Sequence, residues 1–177
     1  MKFKILFVVS CLLAATGISH ADNLFPQFGG KIVKVFVANV KDSTKDHEVN
    51  SQTLRNELEK ALTDRKSIHF QVVPTTEEAQ IVIDTDIKEF MWTDHDPIDM
   101  LIGVVGIATD AVYVEDYARL QADVTITDKH SQRPLWKERV LATVTKKPMS
   151  KVESLPIITK NFVEEFIKNC FSKRRKS

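Results

Sequence analysis

Apolar residues recur along this chain at two periods, and the switches between those periods mark its elements. Lys31–Val40 carries Val, Ile and Phe at both parities, which predicts a strand buried on two sides. Asp42–Val49 is polar and charged and reads as a loop. Leu54, Leu58, Ala61 and Leu62 then fall at i, i+4, i+7 and i+8, the stripe of a helix that Asn50 or Ser51 can cap, with Arg55, Glu59 and Lys60 opposite. Ile68, Phe70 and Val72 alternate with His69 and Gln71 as a half-buried strand that Pro74 ends. Ile81, Ile83, Thr85 and Ile87 keep one parity within Gln80–Trp92. The parity shifts near Glu89, where Phe90 and Trp92 take over the apolar positions, so a bulge is expected there.

The second half of the chain is patterned as clearly. Ala118, Leu120, Ala122, Val124 and Ile126 alternate with polar residues over Asp116–Asp128, and a polar turn follows to Pro134. Leu135–Thr145 then places Trp136, Val140, Ala142 and Val144 on one face, which makes a hairpin. A last helix is expected from near Ser154, with Pro156 in its first turn and Ile158, Phe162, Val163, Phe166, Ile167, Cys170 and Phe171 along one stripe. The fold class that follows is α+β, with two helices packed on one face of a mixed four- to five-stranded sheet as a two-layer sandwich.

The first residues change the picture of where the chain works. Met1-Lys2-Phe3-Lys4, an apolar run from Ile5 to Ala15, and small residues at Ser19 and Ala21 are the parts of a secretory signal, with cleavage expected before Asp22. The run is shorter than the roughly 20 apolar residues a membrane span needs. A rival reading attaches lipid at Cys11, within Val8-Val9-Ser10-Cys11. The expected organisation is a signal peptide at 1–21, an irregular lead-in at 22–30, one α/β envelope domain at 31–172 and a basic tail at 173–177. Removing the signal takes Lys2 and Lys4 and no acid, which lowers the formal charge of +1 by two. That balance is not the basic footprint of a nucleic-acid binder. Cys170 then remains as the single cysteine, so no intramolecular disulfide forms.

Candidate chemistry is sparse. Asp94-His95-Asp96 with Asp99 is the densest set of metal-ligand types, but a short acidic run before Pro97 reads first as a solvated turn, so no metal and no cofactor is expected. His47, His69 and His130 stand apart, Cys170 sits on an apolar helical stripe, and no Gly-x-Ser-x-Gly, His-Glu-x-x-His or phosphate-loop pattern occurs, so no enzyme is expected. The unusual feature is an apolar insertion at 94–115, because ordinary connections are short and polar. Such a segment either closes an open sheet face or docks on a protein or lipid partner. The candidate contacts are Met100, Leu101, Ile102, Val104, Val105 and Ile107. Lys173, Arg174 and Arg175 in the tail can meet anionic lipid phosphates.

Several stretches taken in order resemble a known family. They are Val35-Phe36-Val37-Ala38-Asn39-Val40, Leu54-Arg55-Asn56-Glu57-Leu58, Phe70-Gln71-Val72-Val73, Glu78-Ala79-Gln80-Ile81-Val82-Ile83, and the hairpin Asp123-Val124-Thr125-Ile126-Thr127-Asp128 with Leu135-Trp136-Lys137-Glu138. Together they resemble the LptE family of lipopolysaccharide-assembly proteins across nearly all of residues 31–145. The resemblance implies two helices on a four-stranded sheet at the periplasmic face of the outer membrane. It also implies a partner, the LptD-like outer-membrane β-barrel, and contact with lipopolysaccharide. The family's lipid-anchored cysteine would have to be Cys11, and the insertion is longer than the family's hairpin loop. The competing readings are a periplasmic activator of a cell-wall synthase and a metal-dependent hydrolase centred on Asp94–Asp99.

Overall fold

The structure is a computed structural model and describes residues 23–93, 118–144 and 150–172. Its elements run α1 (Phe25–Phe28), β1 (Ile32–Val37), β2 (Lys41–Asp42), α2 (Ser51–Thr63), β3 (His69–Val72), β4 (Ile81–Trp92), β5 (Ala118–Asp128), β6 (Pro134–Val144) and α3 (Lys151–Phe171). The α+β class expected from the patterning holds, with five strands in the order β3-β1-β4-β5-β6 and the short β2 also paired to β4. The sheet is mixed: β3, β1, β2 and β4 run parallel, while β4, β5 and β6 form an antiparallel meander. Helices α2 and α3 touch each other and pack on the sheet, α2 on β1 and β3 and α3 on β5 and β6.

Parallel neighbours usually need a long crossover. Here a stagger replaces it between β3 and β4. Val35 of β1 pairs on one side with Val72, the last residue of β3, and on the other with Ile81, the first residue of β4. The connection Val73–Gln80 therefore has only to cross β1, and backbone bonds from Val73 N to Val35 O (2.9 Å) and from Gln80 N to Lys34 O (2.9 Å) fix it on both sides.

One parity of each strand faces the helices and forms the core: Val33, Val35 and Val37; Ile81, Ile83 and Ile87; the five β5 residues from Ala118 to Ile126; and Trp136, Val140, Ala142 and Val144. Leu54, Leu58 and Leu62 come from α2, and the whole expected stripe from Ile158 to Phe171 comes from α3. Edge-to-face aromatic contacts link Trp136 to Phe166 (5.6 Å), Phe166 to Phe171 (5.8 Å) and Phe171 to Phe70 (4.9 Å), joining β6, α3 and β3. The expected bulge is present: Ile87 pairs with Ala122 and Glu89 with Gln121, which leaves Lys88 as the extra residue and moves Phe90 to the helix side.

Three local expectations need correction. Strand β1 is buried on one face among the described residues, not two: Ile32 is 70% exposed and Lys34 is exposed, because only the other parity meets a helix. The lead-in is less irregular than its Pro and Gly content suggests. It contains one helical turn, and its Leu24 and Phe28 join the core before Gly30, at φ 74°, turns the chain into β1. Helix α3 begins at Lys151, earlier than Ser154. Ser150 and Glu153 form a reciprocal capping box, and Pro156 lies one turn inside the helix on its exposed side.

Candidate interaction surfaces

The contact residues expected from the sequence, Met100, Leu101, Ile102, Val104, Val105, Ile107, Lys173, Arg174 and Arg175, lie outside the described residues, as does the Asp94–Asp99 cluster. The structure does fix where their segments attach. Trp92 pairs with Ala118, so the chain leaves β4 and re-enters β5 at one end of the meander, here called the apical end. Strand β1 starts at the other, basal end, and β4 between them spans roughly 35 Å at about 3.3 Å per residue. Helix α3 descends to the basal end, where Phe171 meets Phe70 and Arg65. The apolar insertion and the basic tail therefore join the domain at opposite ends, and the structure does not bring their attachment points together.

Between these ends, the sheet face away from the helices has no helix over it among the described residues, and it carries ordered charge. Lys41, Asp86, Asp123 and Arg139 are successive partners across β2, β4, β5 and β6 and share this face. Two carboxylates directly opposite one another repel, so the neighbouring cations decide whether this row is tolerable. Lys88 Nζ stands 2.5 Å from Asp86 Oδ2 and Lys41 Nζ 3.8 Å from it, while Arg139 Nε and Nη2 reach the two Asp123 oxygens at 2.7 and 3.3 Å. Burial alone would raise Asp86, but the Lys88 hydrogen bond and charge outweigh it and hold the carboxyl below its usual range. The Arg139 hydrogen bond does the same for Asp123. The row continues apically, where Arg119 stands 3.9 Å from Glu89. With its amide nitrogen turned toward Glu89, Gln121 donates to Glu89 Oε2 at 3.3 Å and accepts from Arg139 Nη1 at 3.3 Å. The sequence shows these residues only as the wet parity of their strands. Their pairing depends on register, which no residue type announces.

The basal end is built by a second set of bonds. Asn23 Nδ2 donates to Asn169 O (2.9 Å), Leu24 N to Cys170 O (2.8 Å) and Arg65 Nη2 to Phe171 O (2.9 Å), so the lead-in and the end of α2 together cap the last carbonyls of α3. Gly30 N to Ser67 O (3.2 Å) and His69 N to Lys31 O (3.1 Å) close the same corner.

Among the described residues, chemical sites are poorly provided for. A cleft of about 240 Å³ beside Thr44, Asp46, Lys88 and Phe90, and another of about 210 Å³ beside Leu141, Asn161 and Glu165, are smaller than ordinary small-molecule pockets. Among the described residues no group of three or more His, Cys, Asp or Glu side chains could hold a metal ion. Cys170 is fully buried, and that burial pushes its thiol far up, the opposite of what a nucleophile needs. No described helix is long and apolar enough to cross a membrane.

No family model matches the sequence, and no curated protein matches it. The fold itself has been seen before. A PelC dodecamer from Paraburkholderia phytofirmans is similar at a TM-score of 0.52 and 10% identity, over 78% of this chain and 89% of that one. A protein from Xanthomonas campestris is similar at 0.51 and 9% identity, over 81% and 83%. At such identities the likeness is one of fold alone.

Proposed function

We propose that this chain is a non-enzymatic cell-envelope protein that works by holding partners, as an LptE-like subunit assisting lipopolysaccharide assembly at the outer membrane. The observation that carries the binding role is the sheet face that no helix covers among the described residues. Helices α2 and α3 close one side of the sheet, and the other presents a charge-balanced row from Lys41 to Arg139 on strands held in fixed register. Paired charges on a rigid sheet favour specificity of docking over chemistry. The secretory signal supports export, and the sequence resemblance supports an LptD-like β-barrel and lipopolysaccharide as the partners. The apolar insertion supplies the hydrophobic contact and the sheet face the polar one.

Recovery of the tagged protein from detergent extracts tests this. A large outer-membrane β-barrel should accompany it, and depletion of the protein should raise outer-membrane permeability. The double variant Ile102→Asp with Val105→Asp should lose the barrel while unfolding at an unchanged temperature. Recovery of an inner-membrane cell-wall synthase instead would replace this reading with the activator role.

A further inference from the structure

We propose that the outer edge of β6 is a self-association site, where β6 of a second copy of this chain adds antiparallel and joins two sheets into one. The strand ends the sheet order, so among the described residues no strand lies beyond it. Which of its backbone groups point outward follows from the ladder. Lys129 N donates to Gln80 O (2.9 Å) in continuation of the β4–β5 register, so the odd-numbered residues of β5 turn to β4 and the even-numbered ones to β6. Those even-numbered residues pair with even-numbered residues of β6, from Val124 with Glu138 to Ala118 with Val144. The N–H and C=O groups of Lys137, Arg139, Leu141 and Thr143 therefore face away from the sheet. Asn161 Nδ2, which reaches Thr143 O from α3 at 3.0 Å, agrees with that direction.

Proteins guard such edges with proline, charge, bulges or a covering element. Pro134, the register shift beside it and Lys137 guard the basal half of β6. From Val140 to Val144 there is neither proline nor charge, and Leu141 is 45% exposed. Helix α3 leaves room here, since the cleft of about 210 Å³ is lined by Leu141 and Thr143 of the strand and by Asn161 and Glu165 of the helix. The opposite edge, β3, is only four residues long.

Charge selects the occupant. With a two-fold axis through Val140 and normal to the sheet, Arg139 stands opposite Leu141 of the second copy and Lys137 opposite Thr143, so no like charges meet and every outward residue finds a partner. Thr143 O can keep Asn161 and accept a second bond through its other lone pair. The same axis sets the two α3 helices side by side and antiparallel. Counted from Asn161 beside Thr143, at roughly 1.5 Å per helix residue and 3.3 Å per strand residue, it falls between Glu165 and Lys168. Glu165 of each copy then lies within a turn of Lys168 of the other. An axis at Arg139 would set that cation opposite itself, and one at Leu141 would set Glu165 opposite Glu165, both unfavourable.

This goes beyond the barrel reading, because it uses the sheet edge and not the charged face, and its test contains no barrel. Sedimentation of the purified exported protein over a concentration series should show a reversible dimer. Amide hydrogen exchange at Arg139, Leu141 and Thr143 should slow as concentration rises, while Val140 and Ala142, bonded to β5 in both states, should not change. Leu141→Pro deletes an N–H that β5 does not use, and Leu141→Lys puts a charge on an exposed position. Each should raise the dimer dissociation constant roughly tenfold or more, and Leu141→Lys should unfold like the parent at dilutions where both are monomeric. Glu165→Lys alone should weaken the dimer, and adding Lys168→Glu should restore it. A chain that stays monomeric throughout would overturn the second copy as occupant, and a dimer indifferent to both Leu141 variants would overturn the edge as its contact. Failure of the charge swap to restore the dimer would overturn the axis at Val140. Slowed exchange at these amides only in the detergent-extracted complex would assign the edge to a strand of another protein and overturn self-association.

Discussion

Asp123 and Arg139 stand directly opposite one another on β5 and β6, with Nε 2.7 Å from Oδ1. The pair makes the neighbouring Asp86–Asp123 juxtaposition tolerable, and the Arg139 hydrogen bond depresses the Asp123 carboxyl. A depressed carboxylate contributes stability that is complete above the unfolded value, about 3.9, and fades as pH falls through the folded value. Arg139→Gln should therefore raise the Asp123 carboxyl in an NMR titration and flatten the acid limb of the stability curve. At neutral pH the change should be small, because the two side chains are 58% and 31% exposed. An Asp123 titration unaffected by the substitution would show that the pair does not persist in solution.

The lead-in should behave as part of the domain. Leu24 is 5% exposed and donates its N–H to Cys170, so Leu24→Ala removes buried methyl groups at the seam between the lead-in and α3. Chemical denaturation should show a loss of about 2 kcal/mol or more. Ile32→Ser, eight residues later on an exposed position, should stay within about 0.5 kcal/mol. Equal effects of the two would mean that the lead-in is not packed in solution.

How much of this was legible follows from what each residue reports. Alternation from Ala118 to Ile126 and the parity shift at Glu89 announce β5 and the β4 bulge directly, because burial on one face is a period-2 signal and a bulge is a break in it. The α3 stripe was legible for the same reason at the helical period. A first-turn reading of Pro156 puts its start too late, although Ser150-x-x-Glu153 spells a capping box that begins four residues before Ser154. Strand β1 looked two-sided because Ile32 and Phe36 are apolar, yet Ile32 is exposed and Phe36 lies only half-buried with the Arg55 guanidinium 5.7 Å from its ring centroid. The charged row and the basal corner were not legible at all. Asp86 meets Asp123, and Arg65 meets Phe171, only through register and helix docking across long stretches of sequence.

The capping box yields a separate prediction for the apical end. Ser150 Oγ accepts from Glu153 N, and Glu153 Oε2 accepts from Ser150 N at 3.0 Å, which satisfies two donors at the start of the longest helix. Ser150→Ala should cost about 1 kcal/mol in equilibrium unfolding. The Ser150 hydroxyl and backbone hydrogen bonds depress Glu153, so its carboxyl should rise toward the ordinary glutamate value in the variant. A variant that unfolds like the parent, with Glu153 unmoved, would place the helix start elsewhere.

Cys170 provides a direct gauge of the core. Its side chain is fully buried among the aromatic residues of α3, and burial keeps the thiol protonated, so an alkylating reagent should reach it only through an opening reaction. Modification by iodoacetamide, followed by intact mass, should be far slower in buffer than in denaturant, and its rate should grow with denaturant in step with global unfolding. Leu24→Ala supplies the decisive comparison, since Leu24 N caps Cys170 O. If the lead-in and α3 open together, a destabilisation of about 2 kcal/mol should speed alkylation roughly thirtyfold. If the rate does not change, Cys170 becomes accessible by a local fraying of α3 that leaves the lead-in in place, and the seam between the two chain ends is weaker than its buried contacts imply.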